Sequence, residues 1–353
     1  MGARAAIALG LTLSGLLWVS GCTKGENTAS VERVVNLATW SSYVTPATIE
    51  AFQKKTGIKV QISNYSSNEE LLAKLQAGAS GWDVAVPSDY MVYAMVKLGL
   101  LVKLNYAELP NAKALDSQFL NKEYDSKNEY SLPWDWGTTG IAINRNKYSG
   151  EIKGWKDFFS REDLAGKVTL LDDAREAIGA ALLSMGLDLN TTKPEDLQRA
   201  KALLLKFKPR LKAITTEVKT AIETGDIPVA HSYSTDTLQG ARNTGGKVEY
   251  IIPEEGATLW IDNLVIPTGA KHLKEAHELI NFMLDPAIAK VTVENLFVGP
   301  THKGVFGVLK PELQTNAKLF PPPAVMSKLQ MMHDLGESLV QWEKIWTEVK
   351  AQR

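Results

Sequence analysis

Residues 34–63 read VVNLATWSSYVTPATIEAFQKKTGIKVQIS, and the order of apolar and turn-forming residues in this stretch decides the fold class. Val34–Thr39 is a short apolar run with strand character. Thr45-Pro46 supplies a helix N-cap and a proline at the first helical position, Ile49 and Phe52 share a helical face, and Gly57 ends the helix. Ile58–Ser63 then alternates with the period of a strand. The pattern continues downstream. Asn68 opens a helix carrying Leu71, Leu72 and Leu75, closed by Gly78. Trp82–Val86 is the next strand, stopped by Pro87, and Ser88-Asp89 cap a helix with Met91, Val92, Met95 and Val96 that ends at Gly99. Three strands separated by helices of about ten residues predict βαβ units and a parallel sheet.

A second α/β stretch follows. Lys167–Leu171, Ile227–Ala230 and Val248–Ile252 read as strands, and Ala174–Met185 and Pro194–Phe207 as helices. Thr139–Asn144 and Leu264–Pro267 are further β-like runs, and Lys274–Leu284 is helical. Near the C-terminus Leu335, Leu339, Trp342, Trp346 and Val349 fall on one helical stripe, expected to pack on its own protein. Pro321-Pro322-Pro323 is a stiff connector. At roughly 150 residues per domain the length implies two domains.

The 353 residues carry 39 Lys and Arg against 40 Asp and Glu, a net charge of −1, with 44% apolar and 22% charged residues. This is an ordinary globular composition, not that of a disordered or collagen-like chain. No basic stripe interleaved with aromatics occurs, which sets nucleic acid aside. At the N-terminus Arg4 precedes the mostly apolar run Ala5–Trp18, too short for a comfortable membrane span, and Val19-Ser20-Gly21-Cys22 places small residues before the single cysteine. The arrangement resembles a bacterial lipobox, with residues 1–21 as a cleaved signal peptide, Cys22 as the acylated residue and residues 22–30 as a flexible tether. One cysteine permits no intramolecular disulfide. No later apolar run reaches the roughly 18 residues of a spanning helix. The expectation is a protein in the periplasm or on the outer face of the cytoplasmic membrane, attached only by lipid.

Catalytic signatures are absent: no Gly-x4-Gly-Lys-Ser/Thr, Gly-x-Gly-x-x-Gly, Gly-x-Ser-x-Gly or His-Glu-x-x-His occurs. His231, His272, His277, His302 and His333 lack zinc-ligand spacing, so no metal or cofactor is expected. The acids and aromatics are more informative. Trp40-Ser41-Ser42-Tyr43, Ser88-Asp89-Tyr90, Asp172-Asp173-Ala174-Arg175-Glu176, Tyr233 with Asp236, and Trp260 with Asp262 all lie at strand ends or helix starts. Ligands of open α/β sheets bind beyond the carboxyl ends of strands. A cleft there, lined by carboxylates and ring faces, suits an organic polyammonium ion. Each feature also has a plainer reading. Asp173 with Glu176 resembles a helix-capping pair, Trp40 and Trp260 read as core residues, and Tyr233–Asp236 as a turn. Asp262 inside a β run is harder to place, because a buried charge needs a partner.

From Val34 to about Arg353 the chain resembles the bacterial spermidine/putrescine-binding proteins of ABC transporters. The resemblance lies in TWSSYV (39–44), FQKKTGIKV (52–60), WDVAVPSDY (82–90), LPWDWGTTGIAI (132–143), LLDDARE (170–176), LWIDNLVIP (259–267) and INFML (280–284), in that order. It implies an α/β, type II periplasmic-binding-protein fold of two lobes, each a mostly parallel sheet flanked by helices. Residues 31–138 with 263–307 would form one lobe and 139–262 with 308–353 the other, with hinges near 139 and 263. It further implies that Trp40 and Tyr43, with Ser41 between them, form a pocket wall and that Ser88 and Tyr90 add contacts. Asp173 and Glu176 would hold ammonium groups, and Trp260 and Asp262 would grip a diamine. Tyr233 stands where the family usually has Trp, and Asp236 matches an acid of putrescine-preferring members. Ser42 stands where many members have an acid, the family's pocket Tyr has no clear counterpart near Leu296–Gly299, and Met332 replaces a polar residue. The expected function is capture of spermidine or putrescine by a monomeric, lipid-anchored protein that delivers it to an ABC permease without catalysis. The same fold binding an amino acid, amino-alcohol or metal chelate, a secreted enzyme, and a sensor remain as alternatives.

Overall fold

The computed structural model describes residues 32–78 and 81–351; the signal peptide, Cys22 and the tether lie outside the described residues. Ten strands are described: β1 Val34–Trp40, β2 Lys59–Tyr65, β3 Val84–Ala85, β4 Ser131–Asn144, β5 Val168–Leu170, β6 Leu211–Ile214, β7 Val229–Tyr233, β8 Val248–Ile251, β9 Leu259–Val265 and β10 Gly299–Pro300. They form one sheet in the order β2-β1-β3-β9-β4-β7-β5-β6, with β8 and β10 also paired to β4.

The opening stretch folds as its residues dictate. The Thr45 side chain accepts a hydrogen bond from the Thr48 amide, Pro46 starts the helix Pro46–Thr56, and Gly57 ends it at φ 69°. A left-handed residue there is the ordinary place for glycine. β1 pairs in parallel with β2 and β3, the expected βαβ arrangement. β5 likewise pairs in parallel with β6 and β7.

The middle of the sheet is antiparallel, unlike the mostly parallel sheets expected. β4 pairs antiparallel with β9, β10, β7 and β8. The reason is that the chain runs out along β4 and returns along β9. β4 is a single strand of 14 residues, all buried, where only the part from Thr139 reads as β in the sequence. Its partner is β9 up to Thr138 and β7 from Thr139. Tertiary pairing overrides the low strand propensity of Pro133 and Gly137.

On one side of the sheet the fully buried helix Ala174–Ser184 packs against Pro194–Phe207 and the C-terminal helix Leu339–Ala351. The stripe of that last helix turns inward through Trp342, Ile345, Trp346 and Val349, while Leu335 precedes the helix. A second core gathers Phe52, Leu264, Ile280 and Val293, the last from the helix Pro286–Leu296, which the sequence pattern does not announce. No described helix is long and apolar enough to cross a membrane.

Candidate functional site

The carboxyl ends of β1, β3, β5 and β7 and the start of β9 open onto one cavity of about 450 Å³. All eleven residues singled out above line it: Trp40, Ser41, Tyr43, Ser88, Tyr90, Asp173, Glu176, Tyr233, Asp236, Trp260 and Asp262. Ser42 and Met332 line it too.

Strand ends and helix starts set the positions. Trp40 is the last residue of β1 and meets Tyr65 edge-on at 4.6 Å. Three residues on, the buried Tyr43 donates its hydroxyl hydrogen to Asp135 Oδ1 at 2.7 Å. Ser88 Oγ donates to Asp262 Oδ1 at 2.7 Å. Asp262 and Asp135 face each other across the β4–β9 ladder, so two buried carboxyl groups share one spot. Tyr90 donates to Glu69 Oε1 at 3.0 Å. Asp173 caps the helix Ala174–Ser184 by accepting from the Glu176 amide at 3.0 Å, which is the capping role read from the sequence. Its other oxygen accepts from Tyr233 at 3.5 Å. Glu176 instead accepts from Thr139 Oγ1 at 2.8 Å and Thr258 Oγ1 at 2.9 Å. The indole nitrogens of Trp40 and Trp260 are buried with no hydrogen-bond partner among the described residues.

Trp260 lies on Gly137, where an added Cβ would sit 2.3 Å from its ring and 2.8 Å from Ser234 Oγ. Gly137→Ala should therefore displace the ring and lower unfolding free energy by about 1–3 kcal/mol, measured by urea denaturation. An unchanged midpoint would show that Trp260 moves freely.

The electrostatics are one-sided. Burial raises the carboxyl groups of Asp89 and Glu176 to about 8, Glu69 to about 7, and Asp236 and Asp262 to about 6. Asp135 is pushed well above the usual carboxylate range, first by burial and then by the charge of Asp262. Burial also raises Asp173, against the pull of its hydrogen bonds and of Arg175. Arg175 does not line the cavity. It is buried behind the wall between the rings of Tyr90 and Trp342, 5.0 Å from each. A cavity rich in buried carboxyls and ring faces is built to receive organic cations. Among the described residues no three His, Cys, Asp or Glu side chains assemble as a metal site.

Asp89, one of the strand-end acids read from the sequence, lines the cavity as well, whereas Asp135 and Glu69, which accept hydrogen bonds from the lining Tyr43 and Tyr90, are not expected from the sequence. Asp135 lies between Trp134 and Trp136, ahead of the run that reads as β from Thr139, so it lacks the signal that Asp262 carries. Glu69 sits in a first helical turn, where an acid is ordinary and carries no signal.

A family model for bacterial extracellular solute-binding proteins matches residues 47–321. The chain belongs to that family. Its part is therefore binding and not catalysis. It is 35% identical over 328 residues to spermidine/putrescine-binding periplasmic protein 1 of Haemophilus influenzae, covering 92% of this chain and 91% of that one. It is 33% identical over 348 residues to a putrescine/cadaverine-binding protein of Pseudomonas aeruginosa, covering 95% and 98%. The crystal structure of the TpPotD lipoprotein of Treponema pallidum superposes with a TM-score of 0.77 at 28% identity, covering 90% of this chain and 99% of that one. The fold is the two-lobed fold of periplasmic binding proteins.

Proposed function

We propose that this solute-binding protein captures a polyamine, spermidine or putrescine, and delivers it to the membrane subunits of an ABC transporter. The observation that carries this reading is the cavity itself. Buried carboxyls from separate elements, Asp173 and Glu176 from one and Asp262 from another, face a space walled by Trp40, Tyr43, Tyr90, Tyr233 and Trp260. Carboxylates accept charge-assisted hydrogen bonds from ammonium groups, and the rings cover the methylenes between them. The names of the two relatives agree. In this reading residues 31–138 with 263–307 and residues 139–262 with 308–353 are the lobes. They hinge near 139, where β4 changes partners, and near 263, and close on the ligand. Cys22 would carry the lipid that holds a monomer at the outer face of the cytoplasmic membrane or in the periplasm.

Titration calorimetry of the purified protein with putrescine, spermidine and spermine tests this. Micromolar or tighter binding of one amine supports it. No heat with any of the three, from folded and ligand-free protein, removes the polyamine reading and leaves an amino acid as the next ligand to try.

The raised carboxyls add a pH signature. Their folded pKa values lie above the unfolded range near 4, so the stability they contribute is full below about pH 4 and falls as pH rises through 6 to 8. The melting temperature of the ligand-free protein should fall between pH 5 and pH 9. A bound diammonium favours the ionised carboxyls, so capture should release protons and tighten at least tenfold from pH 5.5 to pH 8. Calorimetry in two buffers of different ionisation enthalpy measures the proton release; equal heats would contradict it.

A further inference from the structure

We propose that Asp135, which does not itself line the cavity, is a positioning residue: it takes the hydrogen of the Tyr43 hydroxyl and so turns that hydroxyl into an acceptor for an ammonium group of the ligand. The inference rests on the polyamine reading above. Asp135 is 1% exposed and stands behind the wall, while Tyr43 is part of the wall. Its Oδ1 accepts from the Tyr43 hydroxyl at 2.7 Å, and its Oδ2 has no partner among the described residues. A hydroxyl has one hydrogen and two lone pairs, so once its hydrogen is given to an acid the oxygen can only accept. An ammonium group has only hydrogens to offer. A Tyr43 hydroxyl left to turn its hydrogen toward the cavity would oppose such a ligand; one held by Asp135 receives it.

The backbone is shaped for this contact. Along a regular strand consecutive side chains point to opposite faces. Between Pro133 and Asp135 the register of β4 on β9 slips by one residue, which leaves Trp134 as the extra residue of a bulge. Trp134 then meets the Tyr43 ring edge-on at 5.4 Å while Asp135 takes the hydroxyl of the same tyrosine. One neighbour fixes the ring and the other fixes the hydrogen. Asp135 also stands opposite Asp262 in the ladder, so the Tyr43 oxygen is held at the station of an acid that lines the cavity. The same polarity recurs around the wall, where Ser88 donates to Asp262, Tyr90 to Glu69 and Thr258 to Glu176.

The test is calorimetry of the purified protein with putrescine and spermidine, for the wild type, Tyr43→Phe, Asp135→Asn and Asp135→Leu, and for the two Asp135 variants combined with Tyr43→Phe. Thermal melts confirm that each variant is folded, and Asp135→Ala repeats the comparison without the leucine side chain. Asparagine keeps an oxygen for the Tyr43 hydrogen and leucine does not. Both remove the charge beside Asp262, so the difference between them isolates the hydroxyl. Tyr43→Phe should bind the preferred amine at least tenfold more weakly than the wild type, as expected for a hydrogen bond from a charged donor. Asp135→Leu should bind at least tenfold more weakly than Asp135→Asn, and that gap should vanish once residue 43 is phenylalanine. A purely structural role would not spare the asparagine variant or depend on the Tyr43 oxygen. Equal affinities for Asp135→Asn and Asp135→Leu, a gap that persists with Tyr43→Phe, or a Tyr43→Phe that binds like the wild type overturns the inference while leaving polyamine binding intact. A wild type that binds neither amine overturns the functional reading and this inference with it.

Discussion

Asp262→Asn should weaken polyamine binding at least tenfold and leave the protein folded. The amide keeps the size of the side chain and an oxygen able to accept from Ser88, which now donates to Asp262 at 2.7 Å. What it removes is charge. A hydrogen bond to a charged partner contributes about 1.5–3 kcal/mol, and each 1.4 kcal/mol is a factor of ten in affinity. The ligand-free protein should not suffer, because Asp262 is buried opposite Asp135 and its charge raises the cost of ionising that neighbour. The melting temperature without ligand should hold or rise, while the calorimetric dissociation constant climbs. An isotherm like that of the wild type would take Asp262 out of the binding site.

Asp173 allows cap and charge to be separated. Its side chain caps the helix Ala174–Ser184, and the same carboxylate lines the cavity. Asparagine is as good an N-cap as aspartate, whereas alanine loses about 0.5–2 kcal/mol. Asp173→Asn should therefore keep its unfolding midpoint and lose at least tenfold in polyamine affinity. Asp173→Ala should lose both. If both variants bind like the wild type and only the alanine variant is less stable, Asp173 is a helix cap and nothing more.

These two residues also mark how far the sequence could be read. Asp262 was suspect because a charge in an apolar strand run demands a partner; what the sequence hid was that its neighbour across the ladder is another acid. Asp135 lay in plain view within LPWDWGTTGIAI, yet only the antiparallel register of β4 and β9 brings it to Asp262. Glu69 has no signal at all, since an acid in a first helical turn is explained by the helix alone.

The sequence by itself determined the local elements of the first α/β stretch, with Thr45-Pro46 and Gly57 bounding its first helix as read, because caps and periodicity act over a few residues. It also determined which strand ends carry acids and rings. The tertiary structure decided that β4 is one continuous strand shared by two groups of partners, since Pro133 and Gly137 argue against a strand until neighbours pair with them. It decided too that Arg175 sits behind the wall and Lys219 on it, although the chain marks neither. Local propensity is written in neighbouring residues; the charge balance of a cleft depends on residues far apart in the chain, and only packing brings them together.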